Sequence, residues 1–196
     1  MEKMVYKAII RYLKKHYPGE LDKIVKRAKE SLPELKAKAP DLGGRKNTLA
    51  NNMDMFLLFL SFYEASDHRM AGEAIDEIIA DLYARLKFLN GIMNINHPRF
   101  LKILRKYMYK SYQAYADKVK QKKSGGEWLE TWDMIVDPEN TEEGFAFTLV
   151  GCPIADYAKK YGYEELMPHM CALDTIIRIS VHMNLTKNAH YPCLCA

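Results

Sequence analysis

The cysteines of this chain sit at positions 152, 171, 193 and 195, with none before Cys152. Sulfur chemistry, metal ligation or a shared core is therefore concentrated in the last quarter. Cys152 precedes Pro153, and proline suits the first turn of a helix. A thiol at that point faces the positive end of the helix dipole, the setting a nucleophilic cysteine needs. The competing reading is a small buried apolar residue, the commonest fate of a free cysteine, and spacing alone favours it. Cys171 and Asp174 are three apart on a predicted helix and so share a face. A carboxylate beside a thiol can position a water or a cationic substrate group, and equally it can be a cap or a surface charge. Cys193 and Cys195, two apart on a predicted strand, point to one side. Together with Cys152, Cys171 and one of His169, His182 or His190 they offer the donors of a zinc site. Their spacing contains no C-x2-C pair and matches no ordinary zinc motif, so no metal or other cofactor is expected.

A second feature is the basic run from Lys102 to Lys123, interleaved with Tyr107, Tyr109, Tyr112 and Tyr115. A single-strand nucleic-acid stripe has this composition. So does the solvated face of a long helix whose tyrosines pack inward, and that is the favoured reading. Neither a Gly-rich phosphate loop, nor H-E-x-x-H, nor G-x-S-x-G occurs.

The chain has 196 residues, 48% hydrophobic and 28% charged, enough for a sizeable core and too apolar for disorder. Its 29 basic and 25 acidic residues leave a formal net charge of +4, too balanced to imply nucleic acid. The first residues are charged and unlike a signal peptide. The most apolar run, Met53 to Phe62, is far shorter than the ~20 residues a bilayer demands. A cytoplasmic protein with reduced thiols is expected, with no membrane and no nucleic-acid partner. Homo-oligomerisation stays open.

The elements that must position the thiols can be read from periodicity. Leu21, Ile24, Val25, Ala28 and Leu32 mark one helix face, with Pro33 and Pro40 expected to end it. Asp41 to Asn47, with paired glycines, reads as a turn, after which Asn47 or Thr48 caps a helix that is apolar nearly all round and hence central. Ala74, Ile75, Ile78, Ile79, Leu82, Leu86 and Leu89 give an amphipathic helix stopped by Asn90-Gly91. His97-Pro98 opens another, with Leu101, Leu104, Met108, Tyr112, Tyr115 and Val119 on one side. Ser124-Gly125-Gly126 is the candidate linker. Beyond it, Phe145, Phe147 and Leu149 alternate as in a half-buried strand. Helices follow from Cys152-Pro153 to Gly162 and from Pro168 to about Ile179. Val181 to Thr186 and Tyr191 to Cys195 read as short closing strands. The expected fold is α+β. A mainly helical part, residues 1–123, packs on a small cysteine-containing unit, residues 127–196, with a short antiparallel sheet and two helices, in one compact domain overall.

The pattern Phe145-x-Phe147, Cys152-Pro153, Ala155, Gly162, Leu166, Cys171-Ala-Leu-Asp174 and Cys193 resembles the L-2-amino-thiazoline-4-carboxylic acid hydrolase-like family. The stretch Leu42-Gly-Gly-Arg-Lys-Asn47 before an apolar helix is similar too, so the resemblance covers most of the chain. The end differs. Asn188 to Pro192 lacks the glycine turn expected before the last cysteine, and Cys195 stands where an aromatic residue is expected. The family implies hydrolytic ring opening of a small cyclic amidine, such as 2-amino-thiazoline-4-carboxylate, to an N-carbamoyl-cysteine-type product. On the chemistry of that reaction, Cys152, Cys171 and Asp174 are the catalytic candidates. Arg178 and Cys193 are the substrate-binding ones, with Arg45 and Lys187 as other cations for a substrate carboxylate. The alternative is a non-catalytic module that binds a small molecule or a metal.

Overall fold

The helix that is apolar on every side organises the rest. In the computed structural model, which describes residues 2–86, 98–136 and 147–171, α1 spans Glu2–His16, α2 Leu21–Lys38, α3 Ala50–Ala65 and α4 Glu73–Leu86. Then come α5 (Pro98–Ser124), β1 (Asp133–Val136), β2 (Phe147–Val150) and α6 (Pro153–Tyr161). This is a mainly helical α+β architecture with a short two-stranded antiparallel sheet.

α3 is apolar all round because its faces serve two cores. One face sends Leu58, Phe59, Phe62 and Ala65 into a cluster with Val5, Ile9 and Leu13 of α1, Ile24 and Ala28 of α2, and Ile78 of α4. The other sends Met53, Phe56, Leu57, Leu60 and Tyr63 against Leu35, Ile75, Ile79, Trp132, Tyr157 and Leu166. Ser61, fully buried on this helix, returns its hydroxyl to the Leu58 carbonyl at 2.7 Å, which satisfies the group locally. The second cluster draws on residues from both sides of Ser124-Gly125-Gly126, so the side chains that flank α6 are anchored on the helical part.

Several expectations change. α2 runs through Pro33 and ends only at Lys38, where Ala39 turns extended ahead of Pro40. Pro33 withholds one donor from the Lys29 carbonyl, but both residues face solvent and water can serve that carbonyl. The cap of α3 is Leu49, not Asn47 or Thr48. Asn47 acts one step earlier, its Oδ1 accepting the Leu49 N–H at 3.1 Å. β1 was not expected, since four residues, Asp133 to Val136, carry little periodic signal. It pairs antiparallel with β2 in the register Asp133–Val150, Met134–Leu149, Ile135–Thr148 and Val136–Phe147. A 3-10 turn over Glu164–Leu166 leads into a helical stretch described over 167–171, with Pro168 in its first turn as expected. The tyrosines of α5 divide. Tyr112 and Tyr115 are half-buried, with Tyr112 stacked on Phe147 at 4.9 Å between centroids, while Tyr107 and Tyr109 face outward. The Asn90-Gly91 stop, Phe145 and the two closing strands fall outside the described residues.

Candidate functional site

Cys152 occupies the N-cap position of α6, with Pro153 directly after it. The proline fixes its own φ near the helical value and has no N–H to leave unsatisfied, so the helix starts there. Gly162, at φ 77°, closes the helix, with its N–H on the Ala158 carbonyl. The Cys152 carbonyl accepts the Asp156 N–H at 3.0 Å, and its side chain makes no capping hydrogen bond. The thiol is half-buried and packs on the cluster around Phe56 and Tyr157.

Cys171 is half-buried against that same cluster, at the far end of the helical stretch 167–171. Two residues earlier, His169 holds its Nδ1 3.0 Å from both carboxylate oxygens of Asp76 on α4. Residues two apart on a helix do not face each other, so His169 and Cys171 serve different neighbours. Between them Met170 packs on both cores, and Met167 is buried. The segment carrying Cys171 is therefore pinned on one side by apolar burial and on another by the His169–Asp76 hydrogen bond to α4.

The same apolar cluster carries titratable groups that the sequence reading did not single out. Tyr63 of α3, nearly buried, donates its hydroxyl proton to Glu165 at 2.6 Å. Burial first, and the Glu165 hydrogen bond second, push its pKa well above the ordinary tyrosine range. Tyr163 meets Tyr63 edge-on at 6.4 Å and has its pKa pushed up to about 12, mainly by burial and then by Glu64. Both phenols stay protonated at any ordinary pH and act as donors. Only their placement by folding could have revealed them, because Tyr63 and Glu165 lie 102 positions apart.

Asp174, Arg178, Cys193 and Cys195, with His182, Lys187 and His190, lie outside the described residues. Among the described residues no three His, Cys, Asp or Glu side chains gather as metal donors, and none of the helices is long and apolar enough to cross a membrane.

Arg45 belongs to a different place. It lines an open cleft of about 670 Å³ with Asp41, Gly43, Lys46, Gly126, Glu127, Trp128, Leu129 and Glu130. Trp128 forms its wall with a left-handed backbone, φ 55°, and its indole lies so close over Gly43 that a Cβ there would overlap the ring.

Against known proteins, the family model described as L-2-amino-thiazoline-4-carboxylic acid hydrolase matches residues 50–190. No curated protein and no solved structure matches the chain significantly.

Proposed function

The chain belongs to the L-2-amino-thiazoline-4-carboxylic acid hydrolase family, and from that premise we propose that it opens a small cyclic amidine carboxylate by hydrolysis. The match over residues 50–190, which takes in Cys152, Cys171, Asp174 and Arg178, carries this reading. The half-buried Cys152 at the start of α6 supports it, because a partly accessible thiol at a helix N-terminus is placed to meet an electrophilic carbon.

In the proposed reaction the Cys152 sulfur attacks the amidine carbon of a 2-amino-thiazoline-4-carboxylate. The ring C–S bond breaks, and the ring sulfur leaves as a thiolate that takes a proton. Water then adds to the enzyme-bound carbon and expels the Cys152 thiolate, which takes back a proton, and that carbon, the exocyclic nitrogen and the water oxygen leave as the carbamoyl group of N-carbamoyl-cysteine. Asp174 holds the amidinium through a charge-assisted hydrogen bond, and Arg178 the substrate carboxylate. Cys171 is the further catalytic candidate and Cys193 the further substrate-binding one. Charge develops on sulfur and on the amidine in the transition state, so groups aimed there have the greatest leverage on rate.

Purified protein incubated with 2-amino-thiazoline-4-carboxylate should release free thiol, followed with a disulfide reagent. Cys152→Ser and Asp174→Asn should each slow it about a hundred- to a thousandfold, the usual loss when one such group is removed, or ~2.7–4 kcal/mol. The packing of Cys152 on the apolar cluster favours a second reading, a structural thiol in a binding module. In that case Cys152→Ser lowers the melting temperature and the protein never turns the substrate over. Turnover that survives both substitutions would keep the enzyme and remove these residues from its site.

A further inference from the structure

The cleft between the Asp41–Lys46 turn and the segment after α5 is built from both sides, and its construction does not depend on the reaction proposed above. The turn is held by Asn47, which is buried to 1% exposure. Its Nδ2 donates to the Leu42 carbonyl at 2.7 Å and to the Thr131 Oγ1 at 2.7 Å, while its Oδ1 accepts the Tyr115 hydroxyl at 2.8 Å. One side chain thus ties the turn, α5 and the residue that ends the opposite wall. Lys118 adds a second tie, its Nζ donating to the Lys46 carbonyl at 2.8 Å.

The charges are unevenly used. Among the acids, Asp41 accepts the Gly43 N–H at 2.9 Å, and both Glu127 oxygens accept from Lys122 at 2.9 and 3.0 Å. Glu130 stands exposed on the rim. Among the cations, Arg45 and Lys46 have no ion pair among the described residues. Lys118 spends its proton on a neutral carbonyl, so its charge is not cancelled. It also lies over the Trp128 ring at 5.1 Å, with Lys122 at 6.0 Å. Arg45 and Lys46 therefore line a preformed, tryptophan-walled cleft, with Lys118 over the Trp128 ring, and of the three acids on its walls Glu127 is held in an ion pair with Lys122.

We propose that this cleft is a binding site for a small oxyanion ligand, carried by a carboxylate or a phosphate group, with Arg45 and Lys46 as its anion contacts and Trp128 as its wall. Arginine suits such a ligand because its planar fork meets two oxygens at once.

Trp128 supplies the probe. The chain has two tryptophans, so a 15N-labelled sample shows two indole N–H signals, assigned with Trp128→Phe. Citrate and inorganic phosphate are titrated separately at constant ionic strength, with sodium chloride as the control. The expected result is a saturable shift of the Trp128 signal with at least one of the two anions, none with chloride, and little movement of buried Trp132. The double variant Arg45→Ala, Lys46→Ala alters only exposed side chains and should raise the dissociation constant at least tenfold with the fold unchanged by circular dichroism. A response to citrate alone assigns a carboxylate ligand, and to phosphate alone a phosphate ester. Linear drift equal to that in chloride, or saturation unchanged in the double variant, would overturn the site. Should Trp128→Phe not fold, the double variant on the wild-type background still decides, because only one indole signal is expected to move.

Discussion

α3 and α5 are both helices, yet they are stabilised in opposite ways. α3 has 16 residues, and eleven of them are buried, on faces that look in two directions. α5 has 27 residues, is strongly basic, and shows solvent Ile103, Tyr107 and Tyr109. Among the described residues, Tyr115 and Lys118 in its C-terminal half bond to the Asn47 turn, Val119 is buried and Tyr112 stacks on Phe147. A helix held by burial on all sides has nowhere to accommodate a lost side chain. A helix held at a few points tolerates change between them.

The sharpest break in the comparison is Phe56→Ala. Phe56 is fully buried in α3 and meets Tyr157 edge-on at 6.1 Å, so the substitution leaves a cavity between α3 and α6. A loss of about 3–5 kcal/mol is expected, read as a fall in the urea midpoint with an unchanged slope. A loss under ~1 kcal/mol would mean that this core is not packed as described.

Asn47→Ala comes next. It strands the Leu42 carbonyl, the Thr131 hydroxyl, the Tyr115 hydroxyl and the Leu49 N–H. Each buried group left unpaired costs about 1–3 kcal/mol, with water recovering some of it, so a loss near 3 kcal/mol is expected. Hydrogen exchange should show the effect in α5 as well as in α3, because this residue joins them. Protection lost in α3 alone would argue that α5 is anchored elsewhere.

A smaller effect concerns the alkaline limb of stability. The folded pKa of Tyr163 is about 12 against an ordinary 10, and Tyr63 is raised as well. Between those values the unfolded chain has released the phenol proton and the folded one retains it. The neutral phenol's contribution is thus complete below pH 10 and is lost as pH rises towards 12. Tyrosinate absorbance should appear later in the native protein than in urea, and Tyr163→Phe should shrink that gap. Coincident titration curves in the two states would contradict the burial described here.

Ile103→Ser should do least. Ile103 is 69% exposed on α5, and a change of no more than about 0.5 kcal/mol is expected in chemical denaturation. A loss above 1 kcal/mol would show that this side of α5 is covered by something outside the described residues.

Much of this was legible before folding, for a physical reason. Periodicity reports which side chains must leave water, so α2 to α4 and the central place of α3 follow from apolar spacing alone. Pro153 and Gly162 bracket α6 because one fixes φ and the other takes a left-handed φ at no steric cost. The thiol Cys152 at the head of α6 was visible in the same way. Tertiary structure decided what local pattern does not encode. It carried α2 through Pro33, since an exposed carbonyl can be served by water. It paired the four residues of β1 with β2, a short-range signal too weak to read alone. It brought Tyr63 to Glu165, Asp76 to His169, and Gly43 beneath Trp128, meetings of residues far apart in the chain. Composition and spacing determine what each segment must bury. Which polar groups then face one another depends on how the buried faces dock, and only the folded chain specifies that.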